Sequence, residues 1–432
     1  MDKSPKNQKL QSVKGMHDIL PLDQMYWEKL RRDVREIADF YNFLRIDTPT
    51  VEPAELFERP LGESSDVVEK QMFFLKTNDR LVLRPENTAG VVRAYIEHGL
   101  HLARQPVKLY YEGSMFRHEQ PQAGRLREFH QAGFEILSLH DDPIYSVQVI
   151  VACVRLVEAL KLKSVSVQMN SIGCRNCRPA YRKKLQDYYR KVEGDLCADC
   201  KRRLAVNPLR LLDCKNAACK PFKENAPLIL DHLCGYCRTH FTSVLEFLEE
   251  LHLPYTLNHT LVRGFDYYDR MVFEVYAEGI SFALGGGGCY DYLAEMLGGR
   301  RTFAVGVAMG MEALIEAMKF QSIVPLSRQK QKVFVIHVGD TAKKRILILI
   351  EDLRRHGIGV IESLGKESLQ AQLKSAAKEG ALLALIVGQK ELYEDSVIVR
   401  DLKNSTQESI PTARVVDIIK KSFQAMKNHD GP

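Results

Sequence analysis

The fold is decided at residues 108–137, which read KLYYEGSMFRHEQPQAGRLREFHQAGFEIL. Two β-rich runs flank a polar, basic loop at 118–127, and this pattern predicts an antiparallel hairpin. Alternate residues of a strand point to the same side, so the second run places four side chains on one face: Phe129, Gln131, Gly133 and Glu135. Because Gly133 has no side chain, we expect room there for a ligand against the sheet.

Three arginines surround the loop of this hairpin. Arg117 ends the first run, and Arg125 and Arg127 lie in the loop. A guanidinium group binds phosphate oxygens through two parallel hydrogen bonds, so this arrangement suits a polyphosphate. Considered alone, an ordinary surface hairpin with solvated charges explains these residues equally well.

The 432 residues of the chain are enough for two or three domains. Residues 1–330 alternate amphipathic helices with β-rich runs, beginning with a helix at 24–40 and a strand at 43–49. From residue 332 the pattern is that of a small α/β domain, with strands at 333–338, 358–363, 382–387 and 396–403 and helices at 341–356, 367–378 and 412–426. We expect the polar stretch at 325–332 to be the linker.

The composition, with 45% apolar and 27% charged residues, is that of a globular protein. The longest apolar run, 381–387, is far shorter than the roughly 20 residues that cross a membrane, so no membrane partner is expected. Residues 1–9 are polar and contain no apolar signal segment, which predicts a cytoplasmic location. The net charge of +6 indicates a nucleic-acid partner only weakly.

Cysteine is distributed unevenly, because eight of the ten cysteines fall between residues 174 and 237. Short-spaced pairs in a reducing compartment are typical of tetrahedral metal sites, and eight thiolates suit two structural four-cysteine zinc sites. Iron–sulfur ligation and free core cysteines are the alternatives, and the spacing does not reveal which pairs join. The predicted ligands are Cys174, Cys177, Cys197, Cys200, Cys214, Cys219, Cys234 and Cys237.

The same stretch is basic. Residues 174–240 contain 15 Lys and Arg against 7 Asp and Glu, a local charge of +8 that exceeds the net charge of the whole chain. A metal-stabilised basic module attracts a phosphate backbone through counterion release. A solvated protein face is the alternative for these charges.

Several segments resemble the histidyl-tRNA synthetase family of class II aminoacyl-tRNA synthetases. Residues 116–119, with Arg125 and 129–131, resemble motif 2 in its histidine-specific form. Residues 14–21, KGMHDILP, are similar to the family's amino-terminal signature. Residues 83–89, LRPENTA, are similar to the segment that grips the amino group of histidine.

Three further segments extend this resemblance to about residues 12–426. Residues 261–268, LVRGFDYY, look like a peptide peculiar to these enzymes. The glycines at 285–288, with Tyr290 and Asp291, look like the strand behind the substrate. Residues 207–215, NPLRLLDCK, resemble the insertion of bacterial members, so the chain looks like the bacterial type with a Cys-rich insertion.

The resemblance implies an α+β fold. We expect an antiparallel sheet of six or seven strands flanked by helices, a helical Cys-rich insert, and a C-terminal mixed-sheet α/β domain that binds the anticodon. The catalytic core is expected at 1–330, with motif 1 around 24–49, motif 2 around 108–137 and motif 3 around 303–318. The insertion is expected at 174–245 and the anticodon-binding domain at 331–432. A homodimer is implied.

The resemblance also implies a histidine–tRNA ligase, which activates L-histidine with ATP and Mg²⁺ and transfers it to tRNA(His). Arg117 and Arg263 are the expected catalytic residues, and both also contact histidine. The other expected histidine-binding residues are Glu86, Asn87, Thr88, Gln131, Glu135, Tyr267 and Tyr268. Arg117 is expected to bind ATP together with Glu119, Arg125 and Glu312. The insert is expected to pack on the acceptor arm of the tRNA.

Three residues depart from the family pattern. Motif 3 usually contains an arginine where this chain has Ala313, and this arginine helps to hold the terminal phosphate of ATP. Arg300 or Arg301 is a candidate to replace it. Asn87 and Cys289 stand where glycine and arginine are expected.

Two other functions are compatible with parts of this sequence. A non-catalytic paralogue that regulates histidine biosynthesis fits Ala313, although such paralogues usually lack the terminal domain. A zinc-stabilised RNA-binding protein fits the basic insert but leaves the expected histidine pocket unexplained.

Overall fold

The computed structural model of the chain describes residues 9–61, 68, 71–121, 124–325, 332–365 and 368–429. The chain forms two compact units, residues 1–325 and 326–432. Most of the predicted linker, 326–331, lies outside the described residues. No helix within the described ranges has the length and apolar character that a membrane crossing requires.

The first unit contains the elements that carry the site. Its helices are α1 (Gln24–Phe40), α2 (Glu55–Leu61), α3 (Thr88–Glu97), α4 (Pro143–Ala159), α5 (Arg178–Arg190), α6 (Ala198–Val206), α7 (Lys220–Glu224), α8 (Gly235–Glu250), α9 (Leu293–Met296) and α10 (Met311–Phe320). Its strands are β1 (Leu44–Arg45), β2 (Val51–Pro53), β3 (Phe73–Phe74), β4 (Leu81–Leu83), β5 (Val107–Phe116), β6 (Glu128–Ser138), β7 (Val165–Ser171), β8 (Tyr255–Leu257), β9 (Asp269–Ala277), β10 (Gly285–Cys289) and β11 (Phe303–Gly310).

A large sheet forms the centre of this unit. In the described residues it has eight strands, more than the six or seven expected, in the order β1-β5-β6-β11-β10-β9-β7-β8. The six strands from β5 to β7 are antiparallel, as predicted, whereas the short edge strands β1 and β8 pair in parallel. The predicted strand at 43–49 shortens to Leu44–Arg45 and ends well before Pro49, so the proline does not set its end. A smaller three-stranded sheet has the order β2-β4-β3.

The predicted hairpin is confirmed as β5 and β6, with Gly113 opposite Gln131 and Tyr111 opposite Gly133. The expectation of open space at Gly133 is wrong. A Cβ atom built on Gly133 would lie 2.2 Å from Cζ of Tyr111. Glycine therefore makes room for the phenol of the neighbouring strand and not for a ligand.

The two faces of the sheet pack against different partners. On one face, residues such as Phe134 and Val307 pack with Leu30 of α1, Ile150 of α4 and Leu314 of α10. On the other face, Tyr111 and Met115 of β5 belong to a second core that includes residues of α3 and of the Cys-rich insert. The alternation of side chains along a strand explains this division. The second face carries the candidate site.

The Cys-rich insert begins at Cys174, directly after β7, and contains α5, α6, α7 and the start of α8. A short 3₁₀ helix, Pro208–Leu211, follows α6. Eight cysteines gather in two groups of four. Buried side chains such as Tyr181, Leu185 and Leu211 belong with these cysteines to the same core as Tyr111 and Met115 of β5.

The second unit is a mixed-sheet α/β domain, as predicted. Its sheet has the order β13-β12-β14-β15-β16, in which β13, β12 and β14 are parallel and β15 and β16 are antiparallel. The strands are β12 (Lys332–His337), β13 (Gly359–Glu362), β14 (Leu383–Val387), β15 (Ser396–Asp401) and β16 (Gln407–Pro411). The helices are α11 (Asp340–Arg355), α12 (Leu369–Lys378), α13 (Gln389–Tyr393) and α14 (Val415–His429).

The prediction missed β16. This strand reads QESIP, and among its residues only Ile410 is buried. A polar, mostly exposed edge strand lacks the alternating apolar pattern on which strand prediction depends.

Candidate active site

A cleft of about 1520 Å³ opens on the second face of the large sheet. This volume exceeds the usual range for small-molecule sites, about 300–1000 Å³, and so leaves room for several substrates. Ten of the predicted substrate-binding residues line it: Glu86, Thr88, Arg117, Glu119, Arg125, Gln131, Arg263, Tyr267, Tyr268 and Glu312. Asn87 and Glu135 are not among its lining residues.

Glu86 lies directly before α3. Its carboxylate accepts hydrogen bonds from the backbone N–H groups of Thr88, at 2.7 Å, and Ala89, at 2.9 Å. A carboxylate at a helix N-terminus satisfies N–H groups that have no partner inside the helix. Burial nevertheless raises the pKa of Glu86. The local sequence thus holds this carboxylate rigidly at the cleft.

Glu135 lies behind the cleft wall and not on its surface. Its carboxyl oxygens accept hydrogen bonds from Thr88 Oγ1, at 2.8 Å, and Tyr290 Oη, at 2.5 Å. A Cβ atom on Gly306 would lie 1.4 Å from Glu135 Oε2, so only glycine fits opposite it. Burial raises the pKa of Glu135 to about 8. This shift favours the protonated form of Glu135 near neutral pH.

The side chain of Asn87 points away from the cleft. Its Oδ1 atom accepts hydrogen bonds from Thr48 Oγ1, at 2.5 Å, and Arg84 Nη1, at 3.2 Å. Asn87 is 1% exposed. These two partners hold the side chain behind the 83–89 segment, away from the cleft, so the contact of Asn87 with histidine stays a prediction.

Arg117 is held between two aromatic rings. Its Nε donates a hydrogen bond to the carbonyl of Pro85 at 2.9 Å. Its guanidinium carbon lies 5.0 Å from the ring centroid of Phe129 and 5.3 Å from that of Phe265. Such stacking fixes the plane of the guanidinium group. Burial lowers the pKa of Arg117, and the nearby charge of Arg263 acts in the same direction.

Arg263 approaches the same region from the 261–268 segment. Its Nη1 atom lies 2.5 Å from Glu274 Oε1, and Tyr276 Oη donates to the other Glu274 oxygen at 2.5 Å. A Cβ atom on Gly286 would lie 2.3 Å from Nη1, so the glycine-rich strand β10 makes room for this guanidinium. Arg263 Nε is buried and has no hydrogen-bond partner among the residues that the structure describes.

Tyr267 and Tyr268 line the inner part of the cleft with ring centroids 4.6 Å apart. Tyr267 Oη donates to Glu86 Oε2 at 3.5 Å. Gln131 Oε1 is buried without a hydrogen-bond partner within the described ranges. Two phenols and an unsatisfied amide oxygen form a wall that recognises a small polar group through hydrogen bonds.

Glu312 lines the cleft, but its carboxylate is already hydrogen-bonded to His130. The backbone N–H of His130 lies 3.0 Å and 2.9 Å from the two carboxylate oxygens. His130 Nδ1 lies 2.7 Å from Oε1, and its Nε2 lies 3.1 Å from Ser114 Oγ. Glu312 thus ties the start of α10 to the hairpin strand β6.

Ala313 lines the cleft at the first turn of α10. The expected replacements for its missing arginine lie elsewhere. The guanidinium of Arg301 lies over the rings of Tyr292, at 5.6 Å, and Phe303, at 5.3 Å, at the opposite end of β11. An eight-residue strand spans roughly 23–26 Å, so the side chains of Arg300 and Arg301 do not reach Ala313 and that expectation is wrong.

The cysteines form two compact groups, and the members of each group show which of the short-spaced pairs join. Cys174 and Cys177 join Cys234 and Cys237, whereas Cys197 and Cys200 join Cys214 and Cys219. In each group the four sulfur atoms lie within 4.8 Å of one another. The pairs 174–177, 174–234, 177–237 and 197–214 have Sγ atoms 3.8 Å apart. Tetrahedral Zn²⁺ with Zn–S bonds of about 2.3 Å requires an S–S separation of about 3.8 Å, so the residues fit this ion.

Backbone groups also point at these sulfur atoms. The N–H of Cys174 donates to Cys177 Sγ at 3.2 Å, and that of Cys197 donates to Cys219 Sγ at 3.4 Å. Such bonds orient thiolate ligands around a metal. Cys197 and Cys214 also line the cleft, so the second cysteine group forms part of its rim.

Sequence reasoning missed several residues that shape the site. Glu274 and Tyr276 hold Arg263, Tyr290 holds Glu135, and Tyr111 fills the space at Gly133. Because side chains alternate along a strand, Glu274 and Tyr276 of β9 lie on one face. Nothing in the sequence shows that Arg263 packs on that face. Tyr290 belongs to a recognised segment, yet its partner is 155 residues away in the chain.

Comparison with known proteins gives consistent matches over nearly the whole chain. The family model described as "Histidyl-tRNA synthetase" matches residues 15–177 and 207–314, and one described as "Anticodon binding domain" matches residues 332–422. A "Histidine--tRNA ligase" of Dehalococcoides mccartyi is 44% identical over 417 residues, which cover 96% of this chain and 100% of that protein. The protein of the same name from Aquifex aeolicus is 42% identical over 404 residues, covering 93% and 98%.

Solved structures agree with these matches. Apo histidyl-tRNA synthetase of S. aureus superposes with a TM-score of 0.79 at 30% identity, covering 95% of this chain and 99% of that one. A Bacillus halodurans structure described as an ATP phosphoribosyltransferase regulatory subunit/histidyl-tRNA synthetase has a TM-score of 0.64 at 21% identity, covering 89% and 99%. This second likeness shows the fold alone.

Proposed function

The chain belongs to the histidyl-tRNA synthetase family and is an ATP-dependent histidine–tRNA ligase, and we propose here how the residues of its cleft carry out that reaction. The observation that supports these roles best is the meeting of Arg117, Arg263, Tyr267 and Tyr268 in one cleft. These residues come from segments about 150 positions apart in the chain.

In the first step, the carboxylate of histidine attacks the α-phosphorus of ATP and pyrophosphate leaves. No enzyme nucleophile is needed, so catalysis consists of aligning the reactants and stabilising negative charge. Arg117 bridges the carboxylate and the α-phosphate, and Arg263 contacts the α-phosphate from another side. Both guanidinium groups are held in place by the contacts to Pro85 and Glu274, which is the preorganisation that this step requires.

Recognition of histidine follows from the hydrogen-bonding groups of the wall. Glu86 and Thr88 hold the ammonium group, and Gln131, Tyr267 and Tyr268 face the imidazole. Glu135 lies behind Thr88 and Tyr290. Its contact with a ring nitrogen of the imidazole therefore requires a small movement of the cleft wall. Asn87 acts indirectly, by holding the segment that carries Glu86. A pocket built for hydrogen bonds rejects apolar isosteres by about 10⁴-fold or more.

ATP binds at the outer end of the cleft, next to Glu119, Arg125, Glu312 and Ala313. Mg²⁺ accompanies ATP and neutralises charge on the β- and γ-phosphates when bound. Glu119 fits this cation better than Glu312 does. The contact of Glu119 to Arg125 is long, at 3.4 Å, whereas His130 engages both oxygens of Glu312.

The two cysteine groups each hold one Zn²⁺, which has a structural role because four thiolates leave no open ligand position. All eight cysteines at 174–237 serve as ligands. The S–S separations near 3.8 Å suit a single ion and are too short for a four-iron cluster.

The partner tRNA(His) contacts two parts of the chain. The domain at 331–432 binds the anticodon, and the insertion at 174–245 packs on the acceptor arm. The remaining residues up to 330 form the catalytic core. The excess of Lys and Arg in the insert supports this placement.

A homodimer is proposed through the region of α1 and β1. Phe40, at the end of α1, and Leu44, in β1, are exposed there by 78% and 66%. Exposed apolar side chains in one region are typical of a subunit interface. Sedimentation of the purified chain tests this, with a mass near 99 kDa expected from the 49.3 kDa of one chain. The proposed location is the cytoplasm.

The two alternative functions are less well supported. The regulatory paralogue and the RNA-binding protein without chemistry both conflict with curated ligases at 42–44% identity over nearly the full length. A match to the anticodon-binding model over 332–422 also argues against the paralogue, which usually lacks that domain.

Histidine-dependent exchange between ATP and pyrophosphate, measured on the purified chain together with its zinc content, tests the proposal. Exchange with histidine, and with no other amino acid, supports the assigned roles. Absence of exchange from folded, zinc-loaded protein would contradict them. Arg263→Gln is expected to lower the exchange rate by about 10²–10³-fold, as the loss of a preorganised charge donor does.

A further inference from the structure

Three side chains of the Cys-rich insert hold the segment 263–268, which carries Arg263, Tyr267 and Tyr268. Arg210 Nη1 donates to the carbonyl of Arg263 at 3.2 Å. Asn207 Nδ2 donates to Asp266 Oδ1 at 3.0 Å. Arg178 Nη2 donates to the carbonyl of Tyr268 at 2.6 Å. The insert therefore contacts both ends and the middle of this segment.

The segment needs such support because it contains neither helix nor strand. The strand that begins at Asp269 does not include Arg263 or Tyr268, so both residues lie outside the regular pairing of the sheet. Asp266 adds an electrostatic attachment. Burial raises the pKa of Asp266. The charges of Arg210, Arg178 and Arg182 act in the opposite direction and favour its ionised form.

The cysteine groups hold the side chains that make these contacts. Arg178 follows Cys177 directly, and its backbone N–H donates to the carbonyl of Cys174 at 2.9 Å. Its guanidinium also donates to the carbonyls of Ile172, at 3.2 Å, and Gly173, at 3.0 Å, at the end of β7. One side chain thus joins the first cysteine group, the sheet and the segment.

The second group holds Asn207 and Arg210. Both lie between its ligands Cys200 and Cys214: Asn207 joins α6 to the 3₁₀ helix that follows, and Arg210 lies on that 3₁₀ helix. Leu211, next to Arg210, is 1% exposed and packs in the core of the insert. A four-cysteine site closes this stretch into a loop, so the position of Arg210 depends on the integrity of the site.

From this geometry we propose that Arg178, Asn207 and Arg210 are positioning residues for histidine activation, so that the insert acts on the first reaction step even without tRNA. The inference rests on the proposed roles of Arg263, Tyr267 and Tyr268. It goes beyond the expected contact of the insert with tRNA. Arg178 lies outside the stretches that the family model matches, which end at residue 177 and resume at 207.

The two arginines are expected to affect different kinetic constants. Arg210 holds the carbonyl of Arg263, whose guanidinium stabilises the transition state, so Arg210→Gln lowers kcat by about 10-fold or more. Arg178 holds the carbonyl of Tyr268 in the histidine wall, so Arg178→Gln raises the KM for histidine by a similar factor. Arg210→Lys keeps one charged donor and is expected to recover part of the loss.

The experiment is ATP–pyrophosphate exchange without tRNA, with full-length protein. Arg190→Gln is the matched control, because Arg190 ends the helix that Arg178 begins and its side chain is 65% exposed. Unfolding midpoint and zinc content are measured for each variant. Should Arg178→Gln fail to fold, Asn207→Ala tests the same segment without removing a charge, and a loss of roughly 3- to 10-fold in kcat/KM is expected.

Two results would overturn the inference. In one, Arg210→Gln and Arg178→Gln leave the exchange unchanged while tRNA charging falls, which would limit the insert to tRNA binding. In the other, both variants lower kcat alike and Arg210→Lys recovers nothing, which would indicate a general structural effect. Failure of the wild-type chain to catalyse exchange would instead contradict the proposed residue roles.

Discussion

Arg263 Nη1 lies 2.5 Å from Glu274 Oε1, so the guanidinium proposed to bind the α-phosphate is already paired with a carboxylate. Both side chains are 18% exposed, which leaves the pair only partly screened by water. The hydrogen bond from Tyr276 Oη holds Glu274 in turn. A phosphate that binds in the cleft therefore contacts Arg263 while the carboxylate of Glu274 holds the guanidinium in place.

Glu274→Gln is expected to destabilise the free protein by about 1–3 kcal/mol, since Arg263 loses its charged partner. The ATP complex is expected to lose less, because phosphate then supplies the negative charge. The rise in unfolding temperature on adding ATP should be larger for the variant than for the wild type. Glu278→Gln, an exposed position on the loop after β9, is the control. An equal or smaller rise would count against phosphate contact by Arg263.

Ala313→Arg is expected to lower the KM for ATP by about 10-fold. The side chain at this position lines the cleft at the start of α10, and a guanidinium there gains a charged hydrogen bond to the phosphates. Ala313→Gln, which is of comparable length but uncharged, is the control. An unchanged KM for ATP in the arginine variant, in protein that binds histidine normally, would show that the phosphates lie elsewhere.

The cysteine groups are expected to bind two zinc ions per chain. Cys177→Ser and Cys200→Ser should each remove about one equivalent, since each variant breaks a different four-cysteine group. Cys153→Ala is the control, because Cys153 is buried in α4 and belongs to neither group. Metal analysis of the dialysed proteins measures this. Loss of both ions from one single-group variant would contradict two independent sites.

Glu135 is expected to make the stability of the protein depend on pH. Its pKa is raised to about 8 by burial, whereas an exposed glutamate titrates near 4.3. Between these values the folded protein holds a proton that the unfolded chain releases. The free energy of unfolding therefore falls as the pH rises from about 4.5 to about 8, by at most about 1.4 kcal/mol per pH unit.

Urea unfolding of the wild type and of Glu135→Gln at pH 5.5 and pH 8.5 measures this contribution. The variant should lose less stability over this interval, because its amide does not titrate and can still bond Thr88 and Tyr290. Parallel pH dependence in the two proteins would mean that Glu135 does not carry the proton.

Much of the site was predictable because it depends on short-range patterns. The alternation in residues 128–137 is enough to identify the strand that carries Gln131 and Glu135, and the hairpin partner lies only a loop away. Close spacing likewise marks each cysteine pair as a ligand pair. The directions of Asn87 and Glu135 were not predictable, since Thr48 and Arg84 in one case and Tyr290 and Gly306 in the other determine them.

The family, the hairpin and the presence of paired thiol ligands could thus be derived from the sequence, because periodicity and spacing are set by neighbours along the chain. The tertiary fold alone set the pairing of Cys174 and Cys177 with cysteines 60 residues away. It also decided that Glu274 holds Arg263 and that the insert holds the segment 263–268. These contacts depend on the packing of strands and helices, and side chains far apart in the chain meet only after that packing has brought their backbones together.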